Sequence, residues 1–275
     1  MILYLTTYGP LVEHERRWYG VSEDWDTLFN RRDLAGFLRR HISRAKPLVR
    51  RPASSTFLPP IGRQEVWAAG VTYYRSRVAR MSESRHAGAS DFYDLVYRAA
   101  RPELFFKATP HRVVGHGGIM HLRSDSRWIV PEPELTAAIN ARGRIIGYTI
   151  GNDLSCRDIE GKNPLYLPQA KTFTRCAALG PGILITGRPM PSRTAIVLDI
   201  RRRGRSMFAG ATRISEIKKP LPTLVSYLYR DNVFPVGCLL MTGTGIVPPE
   251  RLSLRVGDEV RITVHPIGTL VNRME

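Results

Sequence analysis

Short apolar runs separated by glycine and proline dominate the chain from Glu65 onward. They are VWAAGVTY, RIIGYTIGND, GPGILITG, TAIVLDIRR and DEVRITVHPIGTL. Runs of this length between turn-forming residues are typical of β-strands. Two longer segments, SRVARMSESRHAGASDFYDLVYRAA and ISEIKKPLPTLVSYLYRDN, break the pattern and predict helices over part of their length. The fold class is therefore α+β, with a mixed β domain as its main part.

The first sixty residues have a different pattern. The segment DWDTLFNRRDLAGFLRRHISRA carries apolar residues at helical spacing, with Ser22 and Asp24 as candidate N-caps. The turn-rich segment RRPASSTFLPPIG follows it and predicts a boundary. We therefore expect a small N-terminal domain over residues 1–60 and a main, catalytic domain over residues 61–275.

Composition sets the class of protein. The 275 residues are 43% hydrophobic and 24% charged, as in soluble globular proteins. The sequence has no apolar run long enough to span a membrane and no signal-peptide pattern, so we expect a cytoplasmic protein without a membrane partner. Cys156, Cys176 and Cys238 lack CxxC spacing and cannot all pair within one chain, which argues against a disulfide framework or a structural zinc site.

The formal charge of +17 is the one unusual bulk property. Such a charge would suit an anionic partner, such as nucleic acid, a membrane surface or an acidic metabolite. The arginines, however, are scattered in pairs and triples without a nucleic-acid-binding motif beside them. A solvated basic surface explains them better, and we expect no nucleic-acid partner.

Glu132 and Glu134 are separated by a single proline in WIVPEPELTAAIN. If this segment is a strand, the two-residue period places both carboxylates on the same face. Two such charges repel each other unless a cation lies between them. Magnesium, manganese or calcium would compensate them, because these ions prefer oxygen ligands. A solvent-facing pair on an edge strand is the alternative, and a third ligand is needed to decide.

Asp153 is the candidate third ligand. It ends the apolar run GYTIGND, where a strand meets a loop. Asn152 and Asp158 are alternatives, and an Asx turn would explain all three. Lys171, in QAKTF, is a candidate proton carrier, because burial among apolar residues would lower its pKa, although a metal-bound anion nearby would oppose that shift. A surface position explains Lys171 equally well.

A series of blocks resembles the fumarylacetoacetate hydrolase superfamily over roughly residues 66–272. In chain order they are GVTYYRSR, PELFFKATP, PEPELT, GYTIGNDLSCRDIEG, LPQAKTF, ALGPGI, TGTG and LRVGDEVRITVHPIGTLVN. The resemblance implies a mixed β-roll core with a small N-terminal domain, assembled as a homodimer or homotetramer. It also implies a magnesium ion, with manganese possible, on Glu132, Glu134 and Asp153. Lys171 matches the active-site lysine, and Gly243 and Thr244 belong to the turn that contacts the substrate carboxylate.

Ser76 is a departure from the family pattern. Hydrolases and decarboxylases of this family often carry a catalytic histidine in a GxNYxxH block, and this chain has Ser76 at that position. The next histidines, among them His86, His111, His116 and His121, follow in turn-rich or helix-flanking segments. Because a base that activates water is missing from its expected place, carbon–carbon hydrolysis loses support.

Three variant blocks, GVTYYRSR, PELFFKA and NPLYLPQAK, resemble instead the branch of the family that dehydrates 2-keto-3-deoxy sugar acids. In that branch Glu103 would join Lys171 in proton transfer, whereas by itself Glu103 suggests only a salt bridge with an arginine. Arg75, Arg77 and Lys107 are candidate anion partners, although surface roles explain them equally well, and Ser76 and Arg75 are candidate substrate contacts.

The expected function is metal-dependent dehydration of a 2-keto-3-deoxypentonate to 2,5-dioxopentanoate by way of a metal-bound enolate, without an organic cofactor. An acylpyruvate-type hydrolase or oxaloacetate decarboxylase on the same scaffold is the alternative, and it would need a His–Glu pair near the metal. A nucleic-acid-binding protein on an inactive scaffold is a more distant one, and it would need a contiguous basic face with salt-dependent affinity.

Overall fold

The computed structural model describes residues 1–83 and 90–275, so His86 lies outside the described residues. The α-helices of the described part are α1 (Trp25–Phe29), α2 (Leu34–Ile42), α3 (Tyr74–Glu83), α4 (Ser90–Arg98), α5 (Arg157–Lys162), α6 (Leu167–Lys171) and α7 (Leu221–Leu228). Helices α3, α4 and α7 confirm that the two long segments are helical in part. Among the described helices, none has the length and apolar character that a membrane span requires.

Strands supply most of the regular structure. They are β1 (Ile2–Thr6), β2 (Gly9–His14), β3 (Arg17–Gly20), β4 (Phe57–Leu58), β5 (Glu65–Gly70), β6 (Glu103–Ala108), β7 (Val113–Val114), β8 (Ile119–Met120), β9 (Ile129–Val130), β10 (Pro133–Ile139), β11 (Ile145–Asp153), β12 (Ser155–Cys156), β13 (Ala177–Ile185), β14 (Ala195–Arg202), β15 (Arg205–Arg213), β16 (Cys238–Met241), β17 (Glu259–Val264) and β18 (Gly268–Met274). The apolar runs of the sequence therefore form strands as predicted.

An eleven-stranded mixed sheet forms the centre of the molecule. Its order is β3-β2-β1-β13-β11-β10-β16-β5-β6, with β4 beside β1 and β7 beside β13. A five-stranded sheet of order β15-β14-β17-β18-β8 contacts it through β14, β17 and β18, and β9 and β12 form a separate two-stranded ribbon. One buried apolar cluster joins both sheets and includes Ile150 of β11 and Leu270 of β18. This architecture confirms the α+β class.

The burial of each strand follows from its residues. In β14, Ile196, Leu198 and Ile200 are buried while Val197 is exposed, which is the two-residue alternation of a sheet with one face on the core. Strand β10 is buried at every position, which its small and apolar residues allow except at Glu134, whose buried carboxylate needs compensation. Because β10 and β11 lie in the middle of the sheet, the acidic residues at their ends are held by rigid backbone.

The N-terminal segment differs from the prediction. The expected single helix is two helices, because Asp33 interrupts it and its side chain accepts a hydrogen bond from the Gly36 N–H at 2.8 Å. Asp24 caps α1 as predicted, accepting from the Thr27 N–H at 3.0 Å. Strand β1 pairs with β13, so the first strands belong to the central sheet. The domain boundary at residue 60 stays a prediction.

Candidate metal and catalytic site

Three acidic side chains meet at the end of the β10–β11 pair. Antiparallel pairing sets Glu134 opposite Gly151, and the Asp153 N–H donates to the Glu132 carbonyl at 3.0 Å. One carboxylate oxygen each from Glu132, Glu134 and Asp153 lies within 4.8 Å of the others, and all three residues are buried. Glu132 lies just before β10 and Glu134 lies within it, and the structure brings both together with Asp153 in a group that could hold a metal ion. Their role as metal ligands stays a prediction. Asp158 instead accepts from Ser126 and the Arg127 N–H.

The electrostatics of these acids favour a cation. Burial raises the pKa of Glu134 well above its usual value, and the nearby charges of Asp153 and Glu132 raise it further. Burial also raises the pKa of Glu132, although Lys171 opposes the shift. The positive charges of the protein therefore compensate the negative charges of these carboxylates only in part. Three hard oxygen donors at this spacing fit a magnesium or manganese ion.

Lys171 ends α6 and points its ammonium group into the acidic cluster. Its Nζ lies 2.9 Å from Asp153 Oδ2, 3.0 Å from Glu132 Oε1 and 2.7 Å from Ser155 Oγ. Burial lowers the pKa of Lys171, but Asp153, Glu132 and Glu160 raise it by more, so it lies well above the usual value. Burial thus has the lowering effect expected from the sequence, but the opposing effect of the nearby carboxylates outweighs it.

Lys107 is completely buried, which corrects its predicted role as a partner of a substrate anion. Its Nζ lies 2.6 Å from Asp153 Oδ1 and donates to the Leu154 carbonyl at 3.0 Å and to the Lys171 carbonyl. Lys107 therefore pairs with Asp153, a candidate metal ligand, and fixes the position of its carboxylate. Arg77, one of the two arginines proposed with it, pairs with Asp94 at 2.6 Å.

A buried network of ion pairs surrounds Glu132, and it was not predicted from the sequence. Arg80 and Arg157 approach Glu132 Oε1 at 3.1 and 3.0 Å. Both arginines also pair with Glu83 and Glu160. The i,i+3 spacing of Arg80 with Glu83 and of Arg157 with Glu160 was the available signal. That signal is weak, because the same spacing is common on exposed helices.

The formal charge of this cluster supports a divalent ion. Within the described part of the chain, six carboxyl groups (Glu83, Glu103, Glu132, Glu134, Asp153 and Glu160) accompany four cationic side chains (Arg80, Lys107, Arg157 and Lys171). With every group ionised, six against four leaves a formal charge of −2. Protons on Glu134 and Glu103, whose pKa values are raised, would reduce this charge in the absence of an ion, and a divalent cation would neutralise it with all the groups ionised.

Glu103 begins β6 and faces the same cluster. It lies opposite Gly70 of β5, and a Cβ atom at that position would displace the Glu103 carboxylate from where it now lies. Burial raises the pKa of Glu103 to about 7, Glu160 adds to the shift, and Lys171 opposes it. A carboxyl group with this pKa can exchange a proton near neutral pH.

A cavity of about 20 Å³ connects these groups. Ser76, Glu103, Glu132, Asp153, Lys171 and Thr244 line it. The volume is sufficient for about one water molecule. Glu103 and Leu167 also line an outer groove of about 1120 Å³, together with Trp67 and Tyr93. The outer groove therefore meets the inner cavity at Glu103.

The predicted substrate contacts have different outcomes. Ser76 is buried beside the cavity, and its hydroxyl donates to the Tyr73 carbonyl at 2.8 Å. Arg75 is exposed and is not brought to the cavity. Gly243 has a φ of +87° and donates its N–H to Glu134 Oε2 at 2.6 Å, so it supports a candidate metal ligand. Thr244 lines the cavity. Their substrate-binding roles stay predictions.

Histidine is not among the described residues that line the inner cavity. The His116 ring accepts from the Val271 N–H, and His111 contacts Thr109, both elsewhere in the fold. The structure thus gives no His–Glu pair within the described lining of the cavity.

Comparisons with known proteins agree with this geometry. Residues 82–275 match the family described as fumarylacetoacetate (FAA) hydrolase, C-terminal. A probable 2-keto-3-deoxyxylonate dehydratase of Haloferax volcanii is 46% identical over 215 residues, which are 78% of this chain and 73% of the relative. A 2-dehydro-3-deoxy-D-arabinonate dehydratase of Saccharolobus solfataricus is 44% identical over 216 residues, 77% of this chain and 72% of the relative. A solved 2-keto-3-deoxy-D-arabinonate dehydratase complexed with magnesium and 2,5-dioxopentanoate is 32% identical with a TM-score of 0.83, covering 100% of this chain and 98% of that one.

Proposed function

Because the chain belongs to the fumarylacetoacetate hydrolase family, we propose that it is a magnesium-dependent dehydratase that converts a 2-keto-3-deoxypentonate to 2,5-dioxopentanoate. The observation that carries this proposal is the buried triad of Glu132, Glu134 and Asp153 beside Lys171 and Glu103. The likeness to a dehydratase complexed with magnesium and 2,5-dioxopentanoate supports the same reaction.

Glu132, Glu134 and Asp153 would hold the divalent ion. When bound, such an ion supplies a Lewis acid that polarises the keto group of a 2-oxo acid and so acidifies the proton on C3. The cavity has room for about one water molecule and most of its described lining residues are buried, so it keeps bulk water away from this place. A five-carbon substrate is larger than one water molecule, so we expect C4 to stay beside Lys171 and the C5 end to extend toward Glu103 and the outer groove.

Two residues would move the protons. Glu103, with a pKa of about 7, takes the proton from C3, and an enolate forms. Lys171, whose raised pKa keeps it protonated, donates a proton to the C4 hydroxyl as the C4–O bond breaks and water leaves. The resulting unsaturated 2-oxo acid is an isomer of 2,5-dioxopentanoate, so proton shifts alone complete the conversion.

Two features of the organisation remain proposals. We expect a homodimer or homotetramer, and we expect the protein in the cytoplasm. Acylpyruvate hydrolysis and oxaloacetate decarboxylation have less support, because the described lining of the cavity offers no histidine to activate water.

The proposal is tested by a substrate panel. C4 is the stereocentre of 2-keto-3-deoxypentonate, so both enantiomers should be incubated with protein and magnesium, alongside acetylpyruvate and oxaloacetate. We expect one enantiomer to lose one water, as followed by mass spectrometry. Acetate and pyruvate from acetylpyruvate, or carbon dioxide from oxaloacetate, without reaction of either pentonate, would contradict the proposal.

The pH dependence of turnover tests the role of Glu103. A base must be ionised, so kcat should fall about tenfold for each pH unit below about 7 and level off above it. The measurement is kcat at saturating magnesium between roughly pH 5 and 9. Glu103→Gln should lose about 100-fold in kcat and lose this limb of the profile. If the residual kcat of Glu103→Gln still falls in the same way below about pH 7, the base is another group.

A further inference from the structure

Ser155 is completely buried beside Lys171, and the proton transfers proposed above give it no role. It lies in β12, whose pairing with β9 sets Ser155 opposite Val130. Strand β9 ends two residues before Glu132, so the same ribbon holds Ser155 and leads to a candidate metal ligand. The position of the Ser155 hydroxyl is therefore fixed by backbone pairing and not by a mobile loop.

The hydrogen bonds of Ser155 have a defined direction. Its hydroxyl donates to the Asp153 carbonyl at 2.9 Å. Lys171 Nζ donates to Ser155 Oγ at 2.7 Å, since an ammonium group can only donate. Because the single hydroxyl hydrogen is already engaged, the lone pairs of Oγ are oriented toward Lys171.

Ser155 differs from the other two partners of Lys171. Those partners, Asp153 Oδ2 and Glu132 Oε1, belong to candidate metal ligands. A carboxylate that also binds a metal shares its charge between the metal ion and the Lys171 ammonium group. The neutral Ser155 hydroxyl is not a candidate metal ligand, so it accepts from Lys171 whether or not the metal is bound. Within residues 1–83 and 90–275, Ser155 is thus the acceptor of Lys171 that does not depend on the metal site.

We propose that Ser155 is a positioning residue that holds the Lys171 ammonium group in line for proton transfer to the substrate. The inference rests on the proposed dehydration. Ser155 itself would touch neither the reacting carbon nor the leaving hydroxyl. It would act through the direction that it gives to the Lys171 side chain.

The test is Ser155→Ala, measured on the full-length protein. Loss of alignment should lower kcat by about 10- to 100-fold while KM changes by less than about threefold. The substitution is neutral and leaves the three carboxylates in place, so the dissociation constant of Mn²⁺, measured by calorimetry without substrate, should change by less than about threefold. The turnover rate is divided by the concentration of protein that binds Mn²⁺, which corrects for unfolded protein.

Ser253→Ala is the matched control. Ser253 Oγ accepts a hydrogen bond from the Ile129 N–H of the same ribbon at 3.0 Å, so this variant also loses one hydrogen bond at β9. We expect its kcat to stay within about twofold of the wild type. Equal kcat in Ser155→Ala and Ser253→Ala would overturn the inference. So would a parallel loss of Mn²⁺ affinity in Ser155→Ala, which would mean that Ser155 acts through Asp153. A wild-type protein that dehydrates neither pentonate would instead refute the proposed function.

Discussion

Replacement of Glu134 by glutamine is expected to lower magnesium-dependent turnover by about 1,000-fold or more. Glutamine has nearly the same shape, and its amide oxygen can still accept from the Gly243 N–H. It lacks the negative charge that a divalent ion requires, and Lewis-acid stabilisation contributes several kcal/mol to such reactions. The measurement is kcat/KM with the active pentonate enantiomer at saturating magnesium.

The same variant should not destabilise the metal-free protein. Burial and the charges of Asp153 and Glu132 raise the folded-state pKa of Glu134 above its unfolded value. An acid with a raised folded pKa destabilises the fold progressively as the pH rises above the unfolded pKa, and a neutral side chain removes that effect. At neutral pH the metal-free variant should therefore unfold at or above the wild-type temperature. Magnesium should raise the Tm of the wild type but not of the variant.

Glu250→Gln is the matched control, because Glu250 is exposed and lies outside the site. It should keep both turnover and the magnesium-induced rise in Tm. If Glu134→Gln retains the magnesium-induced rise, Glu134 is not a metal ligand. If its metal-free Tm falls well below that of the wild type, the electrostatic account of the triad is wrong.

Replacement of Lys107 by methionine is expected to destabilise the protein by about 3–5 kcal/mol. Methionine fills much of the same volume but offers no donor to Asp153 Oδ1 or to the carbonyls of Leu154 and Lys171. Asp153 keeps its contact with Lys171 through Oδ2 but loses the partner of Oδ1, and removing one partner from a buried ion pair is strongly unfavourable. The corresponding fall in Tm is roughly 6–20 °C for a chain of this size. Thermal unfolding followed by circular dichroism measures it.

Lys219→Met separates the loss of the ion pair from the loss of a buried lysine. The Lys219 ammonium group is also buried but donates to backbone carbonyls, with the Ala99 carbonyl at 2.6 Å. Its loss should cost about 1–3 kcal/mol, because no carboxylate is left unpaired. Magnesium should recover part of the stability of Lys107→Met, since a divalent ion compensates Asp153, and should recover none in Lys219→Met. Equal destabilisation of the two variants would contradict the role given to the Lys107–Asp153 pair.

The sequence predicted the parts of the site that depend on local periodicity. The two-residue period of a strand placed Glu132 and Glu134 together, and the end of an apolar run identified Asp153. Lys171 was a candidate from its apolar surroundings, and the family resemblance supported it and added Glu103; both line the same cavity. Alternation of apolar runs with glycine and proline predicted the strands for the same local reason.

Other features depend on contacts between segments distant in the chain. Arg157 approaches Glu132 across 25 positions, and Lys107 approaches Asp153 across 46, so neither pair has a sequence signature. The raised pKa of Lys171 depends on how closely the carboxylates surround it, which spacing alone does not give. Arg75 illustrates the reverse case, because its block matched the family while its side chain is exposed.

The most direct test of the central claim is the metal dependence of a single reaction. Protein treated with a chelator and then dialysed should be incubated with each 2-keto-3-deoxypentonate enantiomer, and magnesium should be added during the measurement. We predict no product before the addition of magnesium. After the addition, one enantiomer should give 2,5-dioxopentanoate, which mass spectrometry detects as a product lighter than the substrate by one water. Undiminished dehydration in the chelated protein, or no dehydration of either enantiomer after magnesium is restored, would contradict the account.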